Sequence, residues 1–312
     1  MAQTVLFSAP AASWEIYAPF LKDLFDKAGL DMKLVQDTDA PMNVDYIIYA
    51  PNGPVQDFAP YKNVKLVQSL WAGVEIALQN KTLTQPLARM VDPGMSAGMA
   101  DYVLGHVMRH HLGMALHGSV QPGEWRNDTA APLACNRTVG FLGIGALGMY
   151  CAHAVAKQGF NVVGWSRNLK SDGVVRCYAG KDGFTKVLVQ SDILVLLMPD
   201  TAETTNLINA DTIAQMKDGA AIINPGRGPL IDDAALLAAL DSGKLSGATL
   251  DVFRIEPLPA DDPYWAHPKV LVTPHIASET RLETSAAVVV ENIERGETGK
   301  PFLHLVDRDA GY

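Results

Sequence analysis

Cysteine is scarce in this sequence. Cys135, Cys151 and Cys177 are odd in number and show no C-x-x-C spacing, which excludes a disulfide framework and fits a reducing cytoplasmic setting. Long hydrophobic runs are missing as well, and no segment approaches the ~20 apolar residues of a membrane span. Met1-Ala2-Gln3-Thr4 leads straight into the strand-like Val5-Leu6-Phe7 without the basic start of a secretory signal. Positive charge is in deficit: 25 Lys and Arg face 34 Asp and Glu, for a net charge of −9. Neither nucleic acid nor an anionic membrane is therefore an expected partner. Internal repeats and low-complexity tracts are absent too. What remains is 312 residues, 48% of them hydrophobic, enough for two cores and hence two domains.

The stretch with the most chemical content lies near the middle of the chain. Thr138-Val139-Gly140-Phe141-Leu142 reads as a buried strand, and Leu147 to Gln158 carries apolar residues at helical spacing. Between them runs Gly143-Ile144-Gly145-Ala146-Leu147-Gly148. In a G-x-G-x-x-G turn the first glycine permits the bend and the second lets a pyrophosphate approach the backbone. The third lets the helix pack on the strand, with the helix N-terminus facing the phosphates. The next strand, Asn161 to Trp165, ends in Ser166-Arg167, with Lys170 close behind. A carboxylate here would select the ribose 2′-hydroxyl of NAD, whereas a hydroxyl and two cations suit a 2′-phosphate. NADP is favoured over NAD. Met198-Pro199 and Thr204, after a later strand, are placed beside the adenine.

Residues 1 to about 99 read as a smaller α/β unit. Its strands are expected at Thr4–Phe7, Met32–Val35, Asp45–Tyr49, Val64–Gln68 and Ala88–Val91, with a helix over Trp14–Ala28. Alternating strands and helices imply a parallel sheet covered on both faces. The loop Ser69-Leu70-Trp71-Ala72-Gly73 follows the fourth strand, where free amides at Ala72 and Gly73 would suit an anion; a plain strand-to-helix turn fits equally well. A long helix is expected from Ser96 to His117. Its His106, His110 and His111 lack the glutamate of H-E-x-x-H and a third ligand, so they are read as a polar or interface face and not as a metal site. Gln121-Pro122-Gly123-Glu124-Trp125 leads into the dinucleotide unit. That unit continues with strands Ile193–Leu197, Ala220–Ile223, Ala248–Leu250 and Val270–Val272, and helices Gly183–Gln190, Ala210–Gln215 and Asp232–Leu240. A last helix, Glu279 to about Glu294, returns to the first domain.

Three polar islands follow buried strands of the second unit: Asn224-Pro225-Gly226-Arg227-Gly228, Asp251 to Pro259, and Thr273-Pro274-His275-Ile276-Ala277. In a doubly wound sheet such ends converge on one crevice. Arg227 offers a fork for a carboxylate and polarises a neighbouring carbonyl. His275 suits a general acid. Glu256, bonded to the other ring nitrogen, would orient the imidazole and raise its pKa above ~6.5.

These motifs resemble the D-isomer-specific 2-hydroxyacid dehydrogenase family, whose N-x-x-R-G, D-V-F-x-x-E-P-L-P and T-P-H segments carry the substrate arginine, the glutamate and the acid histidine. The closing Val306 to Tyr312 and Leu250–Pro259 look most like its glyoxylate/hydroxypyruvate reductase A branch. The resemblance implies an α/β fold of two doubly wound parallel-sheet domains. A Rossmann cofactor domain (100–284) is inserted in a flavodoxin-like substrate domain (1–99 and 285–312). It implies an NADPH-dependent, homodimeric reductase of glyoxylate and hydroxypyruvate, with Asp251 helping to seat the nicotinamide carboxamide. Bulkier 2-ketoacids such as phenylpyruvate, or a non-catalytic NADP(H)-sensing role, are the alternatives. Some positions depart from the family pattern. Pro225-Gly226 replaces a Leu-Ala-like pair and removes a backbone donor, Asp101 stands for a glutamate, and Trp71 stands for a glycine. Trp71, Tyr49, Met95 and Arg281 are expected to shape the acyl pocket.

Overall fold

The computed structural model describes residues 2–118, 123, 125 and 130–311. Most of the expected lead-in, Gln121, Pro122 and Glu124, and the terminal Tyr312 lie outside them. Met1–Met95 with Thr280–Tyr312 form one compact unit and Ser96–Glu279 a second. The divisions fall a few residues before those expected at 99 and 284. Asp92 is the reason: its carboxylate accepts the amides of Gly94, Met95 and Arg281, which ties both crossing segments to the first unit.

The first unit has strands β1 (Gln3–Ser8), β2 (Met32–Val35), β3 (Tyr46–Tyr49), β4 (Leu66–Ser69) and β5 (Leu87–Ala88), with helix α1 (Ala11–Lys27) between β1 and β2 and α2 (Glu75–Gln79) between β4 and β5. These strands pair in parallel, in the order β2-β1-β3-β4-β5. Successive side chains of a strand point to opposite faces, and here both faces are buried. Val5, Phe7, Tyr46 and Ile48 join α1 residues Leu21 and Phe25 in one core. Leu6, Ile47 and Tyr49 belong to another, with Phe58 and Leu83. That parity corrects the expectation for Tyr49: it is 1% exposed, with its ring edge-on to Phe58 at 5.3 Å, a core residue and not a pocket wall.

The second unit opens with α3 (Pro93–His111) and α4 (Met114–Gly118). The single helix expected from Ser96 to His117 is interrupted at Gly113, whose φ of +64° is left-handed and stops the α-helix. Next come β6 (Thr138–Leu142), α5 (Ala146–Ala156), β7 (Asn161–Trp165), β8 (Arg176–Tyr178), α6 (Gly180–Gln190) and β9 (Ile193–Leu196). They are followed by α7 (Ala210–Gln215), β10 (Ala220–Asn224), α8 (Asp233–Asp241), β11 (Leu245–Leu250), α9 (Pro263–Ala266) and β12 (Val270–Val272). The seven strands are parallel in the order β12-β11-β10-β9-β6-β7-β8. The order reverses between β6 and β9, the point at which doubly wound sheets bind their ligands. Parity again serves two cores: Leu194, Leu196 and Ile222 face α6 and α8, whereas Ile193, Val195 and Ile223 face α3 and α5. Helix α10 (Leu282–Glu297) then buries Ala286, Val289, Val290 and Ile293 in the first unit's core.

Two of the α3 histidines, His110 and His111, pack against the rest of the unit, and the half-buried His106 pairs with a tyrosine of its own helix. His110 Nε2 meets the buried hydroxyl of Thr249 at 3.0 Å, the His106 ring lies tilted at 59° to that of Tyr102 with centroids 4.3 Å apart, and His111 meets Phe160 edge-on at 4.9 Å. Burial, reinforced by Arg109 and His106, pushes the His110 pKa down to about 3. Below the unfolded value of ~6.5 the unfolded chain takes up a proton that the folded protein refuses, so stability falls as pH falls from there toward 3. Between pH 7 and pH 5 this costs about 2 kcal/mol. Urea unfolding of His110→Gln at the two pH values is expected to show an acid loss smaller than wild type by about that amount. An unchanged acid loss would contradict the assignment.

Candidate active site

The three motif glycines are required for different reasons. Gly143 has φ +95°, and a Cβ there would sit 2.5 Å from the Leu197 carbonyl oxygen. A Cβ on Gly148 would lie 1.9 Å from the Gly143 carbonyl, so only glycine lets α5 approach the turn. At Gly145 a Cβ would meet nothing within 4 Å. The protein itself does not demand glycine there, yet the backbone is bare at the N-cap of α5, which has no side-chain cap. An open cradle before uncapped first-turn amides, those of Ala146 and Leu147 among them, fits a pyrophosphate. Met198, 5% exposed, packs beside Gly143. Thr204 lies in the turn that follows Met198-Pro199. Its hydroxyl donates to the Pro199 carbonyl at 2.8 Å and accepts the Thr201 amide at 2.8 Å, so it closes the turn after β9.

At the end of β7, the Ser166 hydroxyl donates to the Asn168 carbonyl at 2.7 Å, and Arg167 Nη2 lies 3.2 Å from Glu203 Oε2. Arg167, Glu203 and Lys170 are all exposed. No carboxylate stands on the strand end itself.

The three islands meet around one concavity of about 250 Å³, lined by Arg227, Gly228, Val252, Phe253, Glu256 and His275 among others. The first two are shaped by contacts that sequence reasoning did not single out. Asn224, 1% exposed, accepts the Gly226 amide at 3.2 Å and donates to the Arg227 carbonyl at 2.8 Å. Gly228 passes so close to Phe253 that a Cβ would lie 2.0 Å from its carbonyl carbon. Arg254 pins the second island by donating to Asp233 Oδ2 at 3.0 Å and to the Ile231 carbonyl.

Glu256 and His275 form a hydrogen-bonded pair in this concavity. Glu256 Oε1 accepts the Phe253 amide at 2.8 Å, and Oε2 lies 2.6 Å from His275 Nδ1. With Nδ1 engaged, Nε2 is the nitrogen available to a ligand. His275 adopts φ +54°, a left-handed conformation that costs on the order of 1–3 kcal/mol for a non-glycine residue. Asp251 holds it there. Fully buried, Asp251 accepts from Thr273 Oγ1 at 2.5 Å, the Ile276 amide at 2.9 Å and the Ala277 amide at 2.8 Å, and its own carbonyl accepts the His275 amide at 2.8 Å. Both oxygens expected to seat a carboxamide are thus engaged in organising the histidine loop.

The NAD-binding domain of D-isomer specific 2-hydroxyacid dehydrogenases matches residues 104–277. The chain belongs to this dehydrogenase family. It is 38% identical over 263 residues to glyoxylate/hydroxypyruvate reductase A of Klebsiella pneumoniae, covering 80% of this chain and 82% of that one. The Salmonella heidelberg enzyme of the same name is 36% identical, covering 86% and 88%. Among solved structures, a D-isomer specific 2-hydroxyacid dehydrogenase from Xanthobacter autotrophicus, in complex with NADPH and MES, superposes with a TM-score of 0.90 at 38% identity over 100% of both chains. The NADPH-dependent glyoxylate/hydroxypyruvate reductase of Sinorhizobium meliloti, with NADP and sulfate, gives 0.85 at 31% identity, covering 99% and 100%.

Against the dehydrogenase pattern, Pro225 and Gly226 are buried, and a Cβ on Gly226 would lie 2.7 Å from the Leu196 carbonyl oxygen, so this pair is set by close packing under the arginine loop. In the first unit, Trp71 is 38% exposed, and its carbonyl accepts the Met90 amide at 3.0 Å. Ser69 Oγ accepts the Trp71 amide at 3.0 Å, so the turn is fastened at its base while the Ala72 and Gly73 amides take no part in that fastening. Arg281 is exposed at the N-cap of α10.

Proposed function

We propose that the chain is an NADPH-dependent 2-ketoacid reductase that converts glyoxylate to glycolate and hydroxypyruvate to D-glycerate. The observation that carries this reading is the Glu256–His275 pair at 2.6 Å beside Arg227 on one concavity. Relatives named as glyoxylate/hydroxypyruvate reductases, and others solved with NADPH or NADP, support the choice of substrate and cofactor.

Gly143, Gly145 and Gly148 with the first α5 amides would hold the pyrophosphate, and Ser166, Arg167 and Lys170 the 2′-phosphate. NADPH supplies the hydride that reduces the keto carbon. Arg227 binds the substrate carboxylate through its planar fork and draws charge toward the carbonyl. Protonated His275 delivers its Nε2 proton to the forming alkoxide, and Glu256 holds the ring so that Nε2 carries that proton. The sum is ketoacid, NADPH and one proton in, hydroxyacid and NADP out. A homodimer in the cytoplasm completes the proposal, supported by exposed apolar side chains such as Leu133 and Trp265 and by three free cysteines.

The substrate class is tested by turnover with NADPH. Glyoxylate and hydroxypyruvate are expected to exceed phenylpyruvate in kcat/KM, and the reverse order would overturn the assignment. Cofactor choice is tested by Arg167→Ala. Losing a charge-assisted hydrogen bond to phosphate is expected to raise the Kd of NADPH roughly tenfold and to leave that of NADH within about twofold. Equal changes for the two cofactors would remove Arg167 from the 2′-phosphate site.

A further inference from the structure

The loop that presents His275 is anchored on one side by Asp251, and a second anchor comes from helix α3. Tyr102 Oη lies 2.7 Å from Thr273 Oγ1, and Thr273 Oγ1 donates to Asp251 Oδ1 at 2.5 Å. A threonine hydroxyl has one hydrogen. Because that hydrogen goes to the aspartate, the Tyr102 hydroxyl must be the donor in its contact with Thr273. The chain of donation therefore runs one way, from Tyr102 to Thr273 to Asp251, and Asp251 in turn receives the amides of Ile276 and Ala277. At the far end of the same loop, a Cβ on Gly98 would sit 2.7 Å from Ser278 Oγ, so the α3 backbone abuts the loop there as well. Ala277 shares a core with Met99 and Val103 of α3.

We propose that Tyr102, acting through Thr273, is a positioning residue for His275. It touches neither ligand nor reacting atoms in this account. Its hydroxyl completes the hydrogen bonds of Thr273, which fixes the Asp251 carboxylate that holds His275 in its left-handed conformation. Neither Tyr102 nor Thr273 carries the chemistry, but without them the loop samples conformations in which Nε2 is misplaced. The inference rests on the reading of His275 as the acid.

The experiment compares Tyr102→Phe, Thr273→Val and Thr273→Ser with His275→Ala. The control is Tyr46→Phe, which deletes a hydroxyl of the first unit that donates to Glu297 at 2.6 Å. Tyr102→Phe and Thr273→Val are expected to lower kcat with a 2-ketoacid by roughly three- to tenfold, the equivalent of one buried hydrogen bond. The KM for the ketoacid and the Kd of NADPH are expected to stay within about twofold of wild type. Thr273→Ser keeps the hydroxyl and is expected to restore kcat, and Tyr46→Phe to leave it unchanged. If His275→Ala collapses turnover while Tyr102→Phe and Thr273→Val keep wild-type kcat, the positioning role is wrong and the acid assignment stands. If kcat falls in Tyr46→Phe as much as in Tyr102→Phe, the effect is general destabilisation and the proposal fails. If His275→Ala itself keeps its activity, the underlying reading of the site fails first.

Discussion

His275→Ala is expected to lower kcat for 2-ketoacid reduction by about 10²–10⁴-fold, the range contributed by a positioned general acid. The Kd of NADPH should stay close to wild type, because no contact of the glycine turn involves this residue. The expectation follows from geometry: Nδ1 is committed to Glu256 at 2.6 Å, and the backbone of the loop is held by Asp251, so one nitrogen is presented in one place. Glu256→Gln keeps the shape and replaces the carboxylate oxygen that meets Nδ1 at 2.6 Å. It is expected to reduce kcat by less than the alanine variant. Measurement of kcat and of NADPH binding on the same samples separates loss of chemistry from loss of cofactor. A His275→Ala protein with near wild-type kcat would require another acid.

The second large effect is expected at the glycine turn, where two neighbouring substitutions should fail in different ways. Gly145→Val places its side chain where nothing lies within 4 Å, so the fold should tolerate it and Tm should change little. The same side chain would fill the space offered to the pyrophosphate, and the Kd of NADPH is expected to rise by about 30-fold, roughly 2 kcal/mol. Gly143→Ala meets the Leu197 carbonyl and a φ of +95° at once. It should lose stability as well as affinity, by roughly 1–3 kcal/mol for the backbone strain alone. Thermal unfolding alongside cofactor titration distinguishes the two. If Gly145→Val binds NADPH normally, the turn is a structural bend and the cofactor lies elsewhere.

How much of this was legible from the sequence depends on how far apart the interacting residues are. The glycine turn between β6 and α5 reads directly, since its six positions and their flanking strand and helix are contiguous. Likewise, the strands that read as apolar runs were placed to within a few residues, and β2, β6, β7 and β12 at their observed bounds. The three-residue β8, Arg176–Tyr178, was missed because Arg-Cys-Tyr lacks the apolar, β-branched run that marks the equally short β12. Histidines on both sides of Gly113 continued a helical pattern that the glycine's left-handed backbone ends.

In the site, the strand ends carrying Arg227, Glu256 and His275 stood out because polar residues follow apolar runs. The task of Asp251 did not stand out. Parallel pairing of Leu250 with Val272 sets Asp251 beside Thr273, 22 residues later, and only that register shows the carboxylate serving the histidine loop. The pairing of Arg167 with Glu203, 36 residues apart, is hidden for the same reason. Tyr49 is the instructive miss. Its place in the alternation with Leu6 and Ile47 already assigns it to a core, and a tyrosine at a strand end was given a functional reading that parity argues against.

The most direct test of the central claim is the product balance with hydroxypyruvate. Loss of NADPH absorbance is followed while the glycerate formed is quantified and its configuration determined. The account predicts one D-glycerate for each NADPH consumed and no L-glycerate. Saturable NADPH binding with no consumption in the presence of hydroxypyruvate or glyoxylate would contradict it, leaving the two folded units and the cofactor site in a protein that is not a reductase of these acids.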